Sequence, residues 1–481
     1  MSDSPTNPSR IAVIGGGLSG LSAAHRLLEL AATRKQPLKL TLFEAGPRAG
    51  GVIGTRDIDG YRVELGADSF ITNKPWAVDL CRRLGLEDRL IPTDERYRRS
   101  LVLRKGRPVE VPEGFQLMTP AQVWPVLVSP IFSPWGKLRM GCEYFVPRRT
   151  GGDDESLAHF VRRRFGQEVL ERLVQPLVGG IYTSDPEKLS LQATMPRFLE
   201  MERDYRSLIR ASRRQARSAK QREQASGARY GLFATLAGGV SELLDALTAR
   251  VSRDATIRLE TPVAEISPHS SGGGYSVRLG DGSTSEFDAV ILALPAPRAA
   301  ELVKAFAPDM AKLLQRIEYA SSAIVVSGHS LDDVRHPLDA FGLVIPAIEE
   351  RRILAVSFTS RKFPGRAPAG CVQLRTFVGG AMQPELLQHS DEELKQIVQD
   401  ELADLLGVSG TPHFSLVARY ERAMPQYHVG HVQLVEQIEH AASQHAGFAL
   451  AGNAYHGVGI PDCIHSGEQA AERICGNATG R

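Results

Sequence analysis

Three glycines, one glutamate and one arginine are the residues of this 481-residue chain whose types and spacing point most directly to chemistry. Gly15-x-Gly17-x-x-Gly20 follows a short apolar run at residues 11–14 and opens the amphipathic stretch LSGLSAAHRLLEL. In that setting each glycine has its own task. Gly15 permits a tight turn, Gly17 lets backbone amides approach a pyrophosphate, and Gly20 lets a helix pack closely on a strand. Leu18 and Ser19 then stand at a helix N-terminus, whose positive dipole end favours phosphate. Glu44 ends the next apolar strand, 24 residues beyond Gly20, the reach at which an acid binds ribose hydroxyls. An acid there disfavours a 2′-phosphate, and with it NADP. Ala45, Arg48, Gly50 and Gly51 follow, a cation and two glycines able to touch a pyrophosphate from its other side.

These residues need a strand–turn–helix–strand frame, and the chain supplies one. A bare glycine pattern is weak among 45 glycines; the strand before it and the helix after it make it specific. Next, GYRVELGADSF alternates as a strand and ends in a small-residue turn. Residues 75–150 combine the helix signal PWAVDLCRRLGL with the hairpin-like SLVLRKGRPVEVP, and residues 155–210 read as helical. After GLFATLAGGVSELLDALTARV, a turn and a helix, residues 255–295 read as consecutive strands with a turn at Asp281-Gly282. The last of them, AVILALP, is apolar throughout, as a buried parallel strand is. Residues 300–435 read as a second sheet-bearing unit that includes the helix SDEELKQIVQDELADLLG. The C-terminus gives a strand, a glycine-rich turn and a helix starting near Pro461.

The length implies roughly two or three domains, and 42% hydrophobic with 23% charged residues marks an ordinary soluble globular chain. A net charge of +2 and the absence of a recognition motif give no reason to expect nucleic acid. Cys81, Cys142, Cys371, Cys463 and Cys475 form no C-x-x-C and are odd in number, which fits free thiols in a reducing compartment. MSDSPTNPSR lacks the apolar core of a signal peptide, so the expectation is cytoplasmic. Residues 114–136 carry no charge, yet Pro120, Pro125, Pro130 and Pro134 would break a spanning helix. Two readings stay open: loops and short helices over a cavity, or a face resting on a bilayer. In the second, Trp124 and Trp135 sit at headgroup level beside Lys137, Arg139, Arg148 and Arg149. The basic segment 210–229 reads as a flexible, solvated stretch or as a patch for a partner or anionic lipid.

Glu44-x-x-x-Arg48-x-Gly50-Gly51 resembles the extended signature of FAD-containing oxidoreductases of the amine-oxidase type, which favours FAD over NAD. The C-terminal turn agrees. Gly452, Gly457 and Gly459 admit backbone to a flat ligand, and a helix N-terminus there can stabilise negative charge on the N1–C2=O edge of a reduced flavin.

Along nearly its whole length the chain resembles the porphyrinogen oxidases of haem biosynthesis. The matching stretches are GGGLSGLSAAHRL, FEAGPRAGGVIGT, ELGADSF, LVQPLVGGIYTSDPEKLSL, SFTSRKFPGRAPAGCVQLRTFVGGA, RYERAMPQYHVGH and GVGIPDCIHSG. The resemblance implies an α/β fold with a two-dinucleotide-binding-type FAD domain like that of p-hydroxybenzoate hydroxylase, formed by residues 1–72, 230–299 and 436–481. A mixed-sheet substrate domain would comprise 73–113 and 300–435, and a helical, membrane-side domain 114–229. The implied activity is six-electron oxidation of a porphyrinogen to a porphyrin by one noncovalent FAD per chain, with O2 as acceptor and H2O2 as product. Implied associations are a peripheral membrane contact, ferrochelatase or another haem-pathway enzyme, and a homodimer. The implied FAD contacts add Gly66, Ala67, Asp68, Ser69, Val263, Ala451, Val458 and Ile460 to the residues above.

No side chain need be catalytic, because hydride can pass from a methylene bridge to the flavin; the protein positions the bridge and excludes water. The implied substrate pocket holds Gly179 and Gly180, which also fit a helix C-cap, together with Phe363, Lys74, Arg98 and Ser100. Relatives that take protoporphyrinogen IX often carry an arginine where Ser100 stands here, with Arg98 and Arg99 just before it. Coproporphyrinogen III, with four propionates, needs more cations, for which Lys74 and Arg361 or Lys362 are candidates. That substrate is slightly favoured. Leu65 and Ala67 stand where relatives often have Arg and Pro. Two other readings stay open: an amine or carotenoid oxidoreductase, with Tyr427 and Tyr455 as a cage, and a non-enzymatic escort of prenylated GTPases.

Overall fold

Near-continuous apolar runs make the first layer. In the computed structural model, which describes residues 8–112, 115–116, 119–120, 124–214, 232–269 and 273–477, five strands form an all-parallel sheet. They are β1 (Ser9–Ile14), β2 (Leu38–Phe43), β3 (Thr256–Arg258), β4 (Ala289–Leu292) and β5 (Phe448–Leu450), in the order β3-β2-β1-β4-β5. Ile14 stands beside both Phe43 and Leu292, so the carboxyl ends of the three central strands are level. Alternate side chains feed two cores. Ile11, Val13, Leu40, Leu42 and Ile291 pack under helix α1 (Leu18–Arg34) and the C-terminal helix α2 (Ile460–Asn477). Ala12, Ile14, Phe43, Val290 and Leu292 pack on the other side against helix His431–Ser443 and the antiparallel strands of 263–287.

Two long excursions, residues 44–255 and 293–447, leave this sheet. One excursion and part of the other build a seven-stranded mixed sheet, Phe414–Pro425, Tyr319–Ser330, Cys371–Gly379, Ala355–Phe358, Gly342–Val344, Leu101–Arg104 and Arg107–Glu110 in spatial order. The last two strands are the hairpin expected from sequence; Lys105 and Gly106 turn it with φ of 50° and 72°. The other expected helix, Asp391–Leu406, begins at a Ser390–Glu393 capping box and ends at a left-handed Gly407. Glu64, at the end of strand Tyr61–Glu64, and Arg366, in the loop before strand Cys371–Gly379, are both fully buried and 3.6 Å apart. Glu64 accepts from Thr55 Oγ1 and the Val240 amide, while Arg366 donates to the carbonyls of Leu236 and Ala237. Burial pushes the Glu64 carboxyl up, against the pull of Thr55 and Arg366.

Residues 157–205 form a helical unit, from Leu157–Arg164 through Gln175–Tyr182 to Pro196–Tyr205. Its buried lock is Glu143, which accepts from Arg164, Ser207 Oγ (2.6 Å) and the Leu208 amide (2.8 Å). Among the described residues no helix is long and apolar enough to cross a membrane. Trp135 (78% exposed) and Phe145 (77% exposed) nevertheless face outward beside Leu127, Val128 and Leu138. Arg139, expected on that face, instead donates to the carbonyls of Arg162, Arg163 and Arg164. Arg149 lies 3.6 Å from the buried Glu155. Most of the basic segment, residues 215–229, and the side chain of Trp124 lie outside the described residues.

Replacing Glu143 by Ala leaves the buried Arg164 guanidinium with only Glu202, at 3.4 Å, as counter-ion and the amides of Leu208 and Ile209 without their acceptor. The expected cost is about 3 kcal/mol, read as a lowered urea midpoint for the helical unit.

Candidate cofactor and substrate site

Where strand order reverses at the carboxyl edge of a parallel sheet, a crevice opens for a ligand; here that edge lies at β1, between β2 and β4. The turn after β1 is built by exclusion. Gly15 has φ +107°, and a Cβ there would stand 2.3 Å from the Ala293 carbonyl oxygen. A Cβ on Gly20 would stand 1.9 Å from the Gly15 oxygen, so at this point helix and turn approach backbone to backbone. Gly17 is different: a Cβ there meets no atom within 4 Å. The open direction at Gly17, beside the free N-terminus of α1, fits a pyrophosphate.

Glu44 shapes the same crevice. Its two carboxylate oxygens accept from the Gly16 and Gly46 amides, each at 2.7 Å, and each keeps a lone pair for a ligand hydroxyl. Ala45 next to it is exposed. The 260–261 stretch closes over this loop, with the Thr261 amide donating to the Glu44 carbonyl at 2.8 Å, and leads into the buried Val263. The second glycine pair lies against the first: Gly50 donates to the Gly16 carbonyl at 2.7 Å, and Gly50 and Gly51 take φ of 115° and 60°. Arg48 does something the sequence did not suggest. Its guanidinium donates to the carbonyls of Ala49, Gly51 and Ile53, so the fork is occupied in folding its own loop.

The 66–69 turn continues this wall. A Cβ on Gly66 would lie 2.5 Å from the Val52 carbonyl oxygen, and Leu65 donates to the Gly54 carbonyl at 2.7 Å. Arg375 and the Tyr420 hydroxyl reach across from the seven-stranded sheet to the carbonyls of Gly66 and Leu65. Ala67 is exposed, whereas Asp68 is buried. Burial opposes its ionisation, but Lys362 and Arg375 outweigh that and hold its carboxyl well below the usual range. Lys362 Nζ stands 3.1 Å from Asp68 and 2.9 Å from Ser69 Oγ.

The C-terminal turn is held by residues that spacing alone did not reveal. The Tyr427 hydroxyl donates to the Asn453 carbonyl (2.6 Å) and accepts from the Gly457 amide (2.8 Å). His431 stacks on Tyr427 at 3.9 Å, and burial brings its pKa down to about 4, so the ring is neutral. Ala451 donates to the Leu292 carbonyl, extending the β4–β5 pairing, and Gly452 donates to Ser466 Oγ. Gly457 must be glycine, because the Asp462 carboxylate fills its Cβ position. Val458 and Gly459 are half-buried and Ile460 buried at the start of α2.

The expected pocket residues divide. Gly179 and Gly180 lie inside helix Gln175–Tyr182, with Thr183 rather than either glycine as its left-handed cap. A Cβ on Gly180 would meet nothing within 4 Å, so this part of the helix borders open space. Leu177, Tyr182, Val344 and Val458 are half-buried around the same helical core. Lys74 pairs with Asp462 at 2.6 Å, beside a Trp76–His465 stack, and thus reaches the first turn of α2. Arg98 and Ser100 are exposed at the hairpin, next to an Arg99–Asp339 pair. Arg361 donates to the Tyr97 hydroxyl. Phe363 corrects the expectation: it is fully buried, with Lys362 and Arg366 over its ring, and has no surface free for a macrocycle. Tyr427 and Tyr455 are likewise buried and make no open cage.

The two glycines give opposite expectations. Gly17→Ala should leave the thermal midpoint of the apoprotein unchanged while FAD affinity falls at least about tenfold, because its methyl enters only ligand space. Gly20→Ala should lower the midpoint itself, because the methyl must displace backbone. Calorimetry with FAD titration checks both.

The family model described as flavin containing amine oxidoreductase matches residues 18–475. The coproporphyrinogen III oxidase of Bacillus subtilis (strain 168) is 35% identical over 461 residues, covering 96% of each chain. Protoporphyrinogen oxidase 2, chloroplastic/mitochondrial, of Arabidopsis thaliana is 30% identical over 491 residues, covering 97% of this chain and 93% of its own. A crystal structure from Exiguobacterium sp. 255-15, provisionally named a protoporphyrinogen oxidase, superposes with a TM-score of 0.85 at 28% identity, covering 98% of this chain and 99% of its own.

Proposed function

The chain belongs to the flavin-containing amine oxidoreductase family, and on that premise we propose that it is an FAD-dependent porphyrinogen oxidase of haem biosynthesis, with coproporphyrinogen III as substrate. The observation that carries the reading is the contact of the Gly15–Gly17 and Gly50–Gly51 turns, open at Gly17, on the carboxyl edge of the parallel sheet from which β5 also leads into the Gly457–Gly459 turn. Full-length identity with coproporphyrinogen III oxidases supports the substrate class.

The flavin, when bound, supplies the hydride acceptor. The chain supplies placement. With FAD bound, backbone at Gly17 and Gly51 would hold its pyrophosphate, Glu44 would hold its ribose, and the 66–69 and 457–460 turns would supply backbone to its ring system. Gly180, Tyr182 and Val458 bound the space for the macrocycle, and burial pushes the Tyr182 hydroxyl up to about 12, keeping it protonated. Lys74, paired with Asp462 at the first turn of α2, is the cation assigned here to a propionate. FAD is held without a covalent bond. Cys463, in the first turn of α2, is half-buried, and desolvation pushes its thiol up to about 12, so it is a poor nucleophile toward the ring. Dioxygen accepts the electrons and leaves as H2O2.

Leu127, Val128, Trp135, Leu138 and Phe145, with Lys137 and Arg148 beside them, form the proposed peripheral membrane face. A homodimer and an encounter with ferrochelatase, which would receive or follow the product, belong to the same proposal.

Coproporphyrinogen III and protoporphyrinogen IX, oxidised side by side under air and followed by porphyrin fluorescence, test the reading. Faster formation of coproporphyrin is expected. Oxidation of neither would overturn the function, and a preference for protoporphyrinogen IX would overturn the substrate. Trp135→Ser with Phe145→Ser should reduce co-sedimentation with anionic vesicles several-fold, by loss of buried apolar area, without changing turnover in detergent-free buffer.

A further inference from the structure

Lys362 belongs to a charge cluster that does not balance. Its ammonium lies 3.1 and 3.3 Å from the two oxygens of Asp68 and 2.9 Å from Ser69 Oγ, while Ser69 Oγ itself donates to Asp68 at 2.8 Å. Arg375 Nη1 stands 3.8 Å from the same carboxylate, and Arg375 also donates to the Gly66 carbonyl. The side chains of Lys362, Asp68 and Arg375 are only 16%, 11% and 4% exposed. Neighbouring charges cancel in pairs, Arg366 with Glu64 and Arg62 with Asp57. Two cations therefore share one carboxylate at the 66–69 turn, and a net positive charge is left largely out of water.

Such a charge is expensive to hold, and a neutral pair would be cheaper. The fold nevertheless fixes it. Lys362 lies over the faces of Phe233 (5.5 Å) and Phe363 (5.1 Å), and its peptide carbonyl accepts from the Asp94 amide. A pre-set cation is what an electron transfer that creates negative charge requires, since it spends nothing on reorganisation when the charge appears. In this enzyme that charge arises when dioxygen takes electrons from the reduced cofactor.

We propose that Lys362, held by Asp68 and Ser69, is the cation that promotes reoxidation of the reduced flavin by dioxygen. The inference rests on the reading of the 66–69 turn as a flavin contact. Its balance is simple. The reduced anionic flavin gives up two electrons and one proton, a second proton comes from solvent water, and dioxygen leaves as H2O2. Lys362 supplies no proton to the step and acts by its charge. This assigns Lys362 to the oxidative half-reaction and leaves Lys74 for the propionates.

The test separates the two half-reactions. FAD-loaded protein is reduced anaerobically with dithionite and mixed with oxygenated buffer, and the return of the visible flavin band is timed. Lys362→Met should slow reoxidation about 100-fold, and Lys362→Arg should restore it to within about tenfold. Sulfite, which adds to oxidised flavin as an anion, should bind Lys362→Met at least about tenfold more weakly. Reoxidation of Lys362→Met at the wild-type rate, with full FAD content, would overturn the proposal. If that variant loses FAD, Lys362→Gln reconstituted in excess FAD decides: reoxidation at the wild-type rate there would overturn the proposal, and a slowing of about tenfold or more supports it. Failure of the wild-type chain to bind FAD, or to be reduced by a porphyrinogen, would count against the proposed function instead.

Discussion

Glycine turns carry no side chains with which to hold themselves, yet three of them, from distant parts of one chain, must meet at one edge of a parallel sheet. That constraint organises the molecule. β1 is flanked by β2 and β4, and β4 by β5, so the turns that follow the first and last of these strands open on the same side. Each turn is then fixed by polar side chains, some from its own loop and some from beyond it. Glu44 binds the amides of Gly16 and Gly46, Arg48 gathers the carbonyls around Gly51, and Tyr427 bridges Asn453 and Gly457. What remains open is the direction a ligand needs, at Gly17.

The seven-stranded sheet is tied to that edge by charge as well as by packing. Arg366 meets Glu64, Arg375 and Lys362 meet Asp68, and Tyr420 binds the Leu65 carbonyl. All of these reach the ELGADSF stretch. A segment that the sequence marks only as a strand and small-residue turn is thus the joint between the glycine loop at 50–54 and the seven-stranded sheet. In the proposed function this joint would set how a macrocycle faces the ring, which is where positioning contributes most to rate.

Much of this was legible in the sequence. The first sheet announced itself through apolar runs with glycine turns at fixed offsets, and the hairpin at Lys105-Gly106 and the helix capped by Ser390 and Gly407 followed from local turn and capping chemistry. These signals are short-range, so one chain suffices to read them. The roles of Tyr427, Arg375, Lys362 and Asp462 were not legible, because each acts on backbone or on a charge tens to hundreds of residues away. Arg48 was legible as a cation near the phosphates but not as a residue bound to its own loop. Phe363 shows the opposite difficulty: an aromatic within a distinctive motif looks like a ligand contact, and only its burial shows it to be core.

The central claim is that one flavin lies across both ends of the chain and accepts hydride from a porphyrinogen. Anaerobic titration of the FAD-loaded protein with coproporphyrinogen III tests it most directly, with the visible flavin band and porphyrin fluorescence recorded together. The account predicts bleaching of three flavins for each coproporphyrin formed, and no bleaching by a primary amine such as benzylamine. Bleaching by the amine alone, or an unchanged flavin band in the presence of excess porphyrinogen, would contradict it.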